Sequence, residues 1–368
     1  MIAENELQSL GAEVAVGEID GELHRLFAGG GESSDHPTGI ARASLLNLAV
    51  FVEDADSLGD LSATVEELTR ETACRAILIL ASASGSPAVR SWIQAHCRLS
   101  EQGEKTVCTE QVSFLLSGAD ASLVRNTVFA HLDSDLPLVF WWRGELSDVF
   151  EDRLYSRVDR FIFDSTMWEQ PSVQFLRLCR AMEESDASFI PHDLAHTHSQ
   201  PVRSMMARIF DDPVARQALD LLEGVEISYH PGLRISSQWL AAWIAQRLGG
   251  ELDVAASSPD GYQFRLRRGN TINICCREDG RQEDDHSTEI ISQVGINLGA
   301  KGRIEIAHDG AENLWKITWQ LAGCPGREKL VPGERRTQAE LVADILVRAG
   351  RNRAMRAAMP TLRQLIVL

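Results

Sequence analysis

The chain has 368 residues, 44% of them hydrophobic, and a formal net charge of −17. That length suits about two domains, each large enough to bury a core, while the negative charge disfavours nonspecific nucleic-acid binding, which needs Lys and Arg against phosphate. No run approaches the ~20 apolar residues of a membrane span, and the acidic start "MIAENELQSLGAEVAVGEID" lacks the basic and apolar regions of a signal peptide, so a cytoplasmic protein with no membrane partner is expected.

In chain order, "EIDGELHRLFA" (18–28) places Ile19, Leu23, Leu26 and Phe27 at helical spacing, and "GGGESSDHPTG" reads as a link. "ASLLNLAVFV" (43–52) and "RAILILAS" (75–82) are apolar strands of the kind buried in parallel sheets. Between them "LSATVEELTRETA" (61–73) is an amphipathic helix with Leu61, Val65 and Leu68 on one face. "TEQVSFLLSG" (109–118) is a third strand and "ASLVRNTVFAHLD" (121–133) a helix. "LPLVFWWRGELSD" (136–148) begins as a buried strand, a helix is expected near 146–157, and "RFIFDS" (160–165) is the next strand. This alternation predicts an open, mostly parallel α/β sheet over residues 1–170.

From about 171 to 368 the pattern predicts an α+β domain. Helices come first, at 172–184 and at 201–224 with a break at Pro213. A short strand, "VEISYH" (225–230), precedes a helix at 235–250. Ser236 or Ser237 can cap that helix, its stripe is Leu240, Trp243, Ile244 and Leu248, and Gly249-Gly250 end it. Strands over 261–322, joined by short polar turns, read as an antiparallel meander. An amphipathic helix at 336–349 closes the chain.

Successive side chains on a strand point to opposite faces, so Trp141 and Trp142 do not enter the same core. Trp141 is expected to be structural. Trp142 and Arg143, nearer the strand end, are expected to be more exposed and to carry partner contact, since Trp and Arg are enriched at interface centres. The alternative is that both rings cap the sheet, with Arg143 pairing Asp148 or Asp164.

Other motifs carry less. The seven cysteines include no C-x-x-C and form neither a zinc-ribbon pattern nor a secreted disulfide framework. Most read as small buried hydrophobes, with one of Cys275 and Cys276 facing outward. "GGGES" (29–33) lacks the phosphate-loop spacing, and "LASASGSPAV" (80–89) lacks a dinucleotide fingerprint. "PHDLAHTHSQP" (191–201) carries His192, Asp193, His196 and His198, a set that could bind a metal but reads better as a polar linker; no metal is expected. No pair of carboxylates or G-x-S-x-G elbow marks a catalytic centre. Acidic runs at Glu4–Asp56 and 278–289 oppose a basic stretch from Arg327 to Arg363, which could steer a partner or be solvated faces.

Taken in order, "ARASLLNLAVFV", "CRAILIL", "VCTEQVSFLLSGAD", "LPLVFWWRGELSD", "DRFIFDS", "HDLAHTHSQPVRSMMARIFDD" and "ISYHPGLRISSQWLAAWIAQRLG" resemble the OpcA family, the glucose-6-phosphate dehydrogenase assembly proteins. The resemblance runs from about residue 10 to about 250. It implies a non-catalytic protein with no cofactor that binds glucose-6-phosphate dehydrogenase and promotes its assembly or activation in the oxidative pentose phosphate pathway. Trp141, Trp142, Arg143, Asp164, Ser165, Asp193 and Arg203 are its candidate partner-binding residues. The chain departs from the family pattern at His196 and His198, where an aromatic and an arginine follow "DLA", and at Val202, where the pattern has tryptophan. The alternative function is a sugar-phosphate- or nucleotide-binding enzyme on the same α/β scaffold.

Overall fold

The computed structural model describes residues 7–29, 40–42, 44–53, 58–99, 106–184, 189–267, 269–280, 290–334, 336–348 and 350–368. The glycine-rich link after Gly29 and most of the acidic run at 278–289 lie outside the described residues. The chain divides into two compact units: Met1–Met167, Arg177–His192 and Gln338–Ala349 form the first, and Trp168–Leu176, Asp193–Thr337 and Gly350–Leu368 the second. A single cut after residue 170 therefore does not describe them. The helix Gln338–Val347 joins the first unit because Leu341, Val342 and Ile345 are buried there and it packs on the helix Leu58–Glu71.

The first unit is built on a nine-stranded sheet: β1 (Ala12–Val14), β2 (Ile40–Arg42), β3 (Asn47–Glu53), β4 (Arg75–Ser82), β5 (Ala88–Leu99), β6 (Thr106–Ser117), β7 (Leu138–Arg143), β8 (Arg160–Phe163) and β9 (Ile190–Asp193). Their order is β1-β5-β6-β4-β3-β7-β8-β9, with β2 beside β6. The pairs β6/β4, β4/β3, β3/β7 and β7/β8 are parallel. The expected mostly parallel α/β sheet is what forms. Its middle strands are buried on both faces: Leu48–Phe51, Ala76–Ile79 and Val139–Trp142 are 0–1% exposed. Asn47, at the start of β3, is also buried. Its amide donates to the Asp133 and Leu136 carbonyls at 2.8 and 3.1 Å and accepts from the Asp133 N–H at 2.9 Å. That pins the turn feeding β7.

β5 has no counterpart among the strands expected from the sequence. It turns back from β4 and pairs antiparallel with β6 over its full length. This register sets Cys97 opposite Cys108, and the two form a disulfide. Sequence spacing alone did not indicate that bond. The helix expected at 146–157 shrinks to Asp152–Tyr155. Before it, the Ser147 hydroxyl accepts from the Val149 N–H at 3.3 Å, a local bond that competes with helix formation.

The second unit carries β10 (Gly224–Tyr229), β11 (Gly250–Leu252), β12 (Gly261–Leu266), β13 (Thr271–Glu278), β14 (Ile291–Asn297), β15 (Gly302–Asp309), β16 (Leu314–Leu321) and β17 (Arg327–Pro332). The sheet order is β11-β12-β13-β10-β14-β15-β16-β17. The meander is thus split: β10 lies between β13 and β14, parallel to the first and antiparallel to the second. Burial alternates, as in β15, where Ile304, Ile306 and His308 face inward.

The helix Arg234–Leu248 is buried all round from Ile235 to Ala245, not along one stripe. It packs on β10, β13 and the terminal helix Arg353–Leu365. Neither Ser236 nor Ser237 caps it; Ser237 instead donates to the Arg234 carbonyl at 2.7 Å. Gly249 ends it at φ 66°, a left-handed conformation that glycine adopts without strain. The helix Arg353–Leu365 was not anticipated. Its arginines obscure an inward face of Met355, Ala358, Met359, Leu362 and Leu365.

Candidate functional site

In the first unit the candidate residues gather where β3, β7 and β8 end side by side. Register pairs Val52 with Arg143 and Trp141 with Ile162, so the strands run out together at Glu53, Arg143 and Asp164. Ligand sites of open α/β sheets form at such carboxyl ends.

Both tryptophans are structural. Trp141 is 0% and Trp142 1% exposed, which corrects the expectation that Trp142 faces outward. The rings do take opposite faces, as strand parity dictates, but both faces are covered. Trp142 sits in an aromatic cluster, 4.4 Å from Phe51, 5.9 Å from Phe150 and 6.2 Å from Phe161 between ring centroids. Its indole N–H donates to the Glu145 carbonyl at 2.9 Å and so tethers the loop after the strand.

Arg143 is half-buried, with its guanidinium 5.4 Å from the centre of the Trp141 ring, within cation–π range. Gly144 follows at φ 94° with open space where a Cβ would stand. Asp148 is paired with Arg177 at 2.8 Å, and Arg177 also donates to the Leu146 carbonyl. The Ser147 hydroxyl donates to the exposed Glu53 carboxylate at 2.6 Å, a link that sequence spacing could not reveal.

Asp164 accepts from the Thr166 N–H and hydroxyl at 3.0 and 2.6 Å, closing the turn after β8. Ser165 is buried in that turn. His192, on β9, is also buried. Loss of water around it, helped by the nearby Arg160 charge, lowers its pKa to about 4, so it is neutral at pH 7.

In the second unit Asp193 and Arg203 belong to a buried lock. Asp193 is 0% exposed, so it is not a surface contact. It caps the helix Leu194–His198 through the Ala195 N–H at 3.0 Å and accepts from the Trp239 indole N–H at 2.7 Å. The His196 ring lies 5.0 Å from that of Trp239, edge to face. Arg203, half-buried, donates to the His196 carbonyl at 2.8 Å and to the Ser199 hydroxyl at 3.1 Å. "PHDLAHTHSQP" is therefore not a polar linker: Pro191 and His192 belong to β9, and from Asp193 on it is a buried helix start. Among the described residues, no group of three or more His, Cys, Asp or Glu is placed to hold a metal ion. The turn after β4 leads into the antiparallel β5 rather than a helix, so it does not form the strand-to-helix turn that dinucleotide sites use.

Residues 65–180 match the family model described as the glucose-6-phosphate dehydrogenase subunit N-terminal domain, and residues 191–359 match the corresponding C-terminal domain. The chain belongs to the OpcA family. Two curated proteins named "Putative OxPP cycle protein OpcA" are similar to it. The protein from Synechocystis is 24% identical over 66% of this chain and 57% of its own length. The protein from Nostoc punctiforme is 27% identical over 50% and 39%. This OpcA-family chain thus spans about half the length of the curated relatives it matches. Among solved structures, a "putative oxidoreductase" from Parabacteroides merdae aligns with TM-score 0.49 and 8% identity, over 88% of this chain and 97% of that one. The transcriptional regulator Gal80p from Kluyveromyces lactis aligns at 0.44 and 10%, over 91% and 90%. Likeness at that level carries no argument about activity. Among the described residues no helix is long and apolar enough to cross a membrane.

Proposed function

We propose that this OpcA-family chain acts without catalysis of its own, binding glucose-6-phosphate dehydrogenase in the cytoplasm and promoting its assembly or activation in the oxidative pentose phosphate pathway. The observation that carries this reading is the pair of family models, both described as domains of a glucose-6-phosphate dehydrogenase subunit, matched across residues 65–180 and 191–359. The contact we assign to the first unit is the edge formed by Arg143, Gly144 and the Asp164 turn. There Arg143 and Asp164 stand where β7 and β8 end and Gly144 leaves open space, while Trp141, Trp142 and Ser165 are buried. Arg203, in the second unit, fixes the Leu194–His198 helix and is not part of that edge.

An activator must bind the active form of its target more tightly than the inactive one. The test mixes the purified chain with the dehydrogenase in size-exclusion chromatography and in glucose 6-phosphate titrations. Co-elution is expected, with a lower apparent substrate constant or a higher maximal rate. The chain alone should not oxidise glucose 6-phosphate. Arg143→Ala should melt within about 1 kcal/mol of the parent yet weaken activation about tenfold or more. No complex, or unchanged kinetics at saturating chain, overturns the reading.

A further inference from the structure

A cleft of about 520 Å³ opens in the first unit between the helix Ala121–Ala130 and the segment Asp152–Arg157. Its size falls in the range of small-molecule sites, ~300–1,000 Å³. Unlike those sites' mostly apolar walls, its lining is polar and carries three arginines, Arg125, Arg153 and Arg157.

In a chain with net charge −17, acids outnumber bases. Arg75, Arg90, Arg177 and Arg303 all have a carboxylate partner, and Arg125 is held by Glu151. Arg153 and Arg157 pair with no carboxylate among the described residues. Arg157 lies over the Phe129 ring, 4.8 Å from its centre. Two guanidiniums that face one cleft without a carboxylate partner among the described residues favour an anion from outside. Their planar donor forks suit phosphate oxygens.

The rest of the lining narrows the class. Asp152, Asn126 and Ser156 also face the cleft. A carboxylate there repels a bare polyanion but accepts hydrogen bonds from hydroxyl groups, and the amide and hydroxyl can both donate and accept. The Phe129 face that could stack a nucleobase is covered by Arg157. We propose that this cleft is a binding site for a phosphorylated sugar, with Arg153 and Arg157 on the phosphate and Asp152, Asn126 and Ser156 on the hydroxyls.

The assignment stands apart from the dehydrogenase reading, because its test needs only this chain. Isothermal titration of the full chain uses glucose 6-phosphate, 6-phosphogluconate and ribose 5-phosphate, with inorganic phosphate and glucose as controls. At least one sugar phosphate should bind at a single site, about tenfold or more tighter than inorganic phosphate, and glucose should give no signal. An Arg153→Gln/Arg157→Gln double variant should lose at least about tenfold in affinity with an unchanged thermal melt. Asp152→Asn should weaken the sugar phosphate while leaving inorganic phosphate equal or tighter, and it carries the test if the double variant melts early. Absence of saturable binding by all three sugar phosphates overturns the proposal, as does affinity no better than inorganic phosphate or binding indifferent to these substitutions.

Discussion

Two pairs of adjacent identical residues behave differently in the two units. On β7, Trp141 and Trp142 point to opposite faces and both are buried. On β13, Cys275 and Cys276 also point to opposite faces, but Cys276 is buried and Cys275 is half-exposed. Strand parity is the same in both places. The difference is what covers the faces. A central strand of a parallel sheet has layers on both sides, whereas an antiparallel sheet can leave one side to water. Parity therefore tells which residues share a face, and only the surroundings tell whether that face is wet.

The largest expected effect is chemical. Burial pushes the Cys276 thiol up to about 12, so near pH 8 only about one molecule in 10⁴ carries the reactive thiolate. Timed alkylation at pH 8, read by mass spectrometry, should label the half-exposed Cys275 at least about tenfold faster than the buried Cys276. Similar rates would show that β13 does not seal its inner face.

Next come the tryptophans. Trp141→Ala and Trp142→Ala should each cost ~3–5 kcal/mol in denaturant titrations. The Trp142 change also releases the Glu145 loop, since its indole N–H bond is lost. If only Trp141→Ala is costly, the face under Trp142 is not closed.

A pH titration then probes β9 in the first unit. The folded chain holds the His192 pKa at about 4, below the ~6.5 of an unfolded histidine. The unfolded state therefore takes up the proton first. Stability from this group is full above pH ~6.5 and falls by up to ~3 kcal/mol as pH drops toward 4. Melts of the parent and His192→Gln between pH 4 and 8 should show a flatter profile in the variant. Parallel profiles would mean that His192 is solvated.

The smallest effect tests the exposed side of the second sheet. Lys316 follows the buried Trp315 as Trp142 follows Trp141, but it faces water and pairs with Glu328 at 2.7 Å with both side chains about half exposed. Lys316→Ala should change stability by no more than ~0.5 kcal/mol, measured in the same denaturant series. A cost near that of Trp142→Ala would erase the contrast between the sheets.

Local patterns were legible in the chain itself. Continuous apolar runs marked β3, β4 and β7, because strands covered on both faces need apolar side chains at every position. Three-to-four spacing marked the helices at 19–29, 58–71 and 338–347, and Gly249 marked a helix end, since these depend on residues within a turn or two of one another. The candidate edge at Arg143 and Asp164 was readable for the same reason: both follow apolar strands. Tertiary structure decided the rest. It set β10 between β13 and β14, turned β5 back to bring Cys97 to Cys108, and returned residues 338–349 to the first unit. It buried Trp142 and Asp193 and drew Arg125, Arg153 and Arg157 to one cleft. Periodicity records how a segment faces its surroundings but not which distant segment supplies them; that choice rests on the burial each pairing achieves across the folded chain.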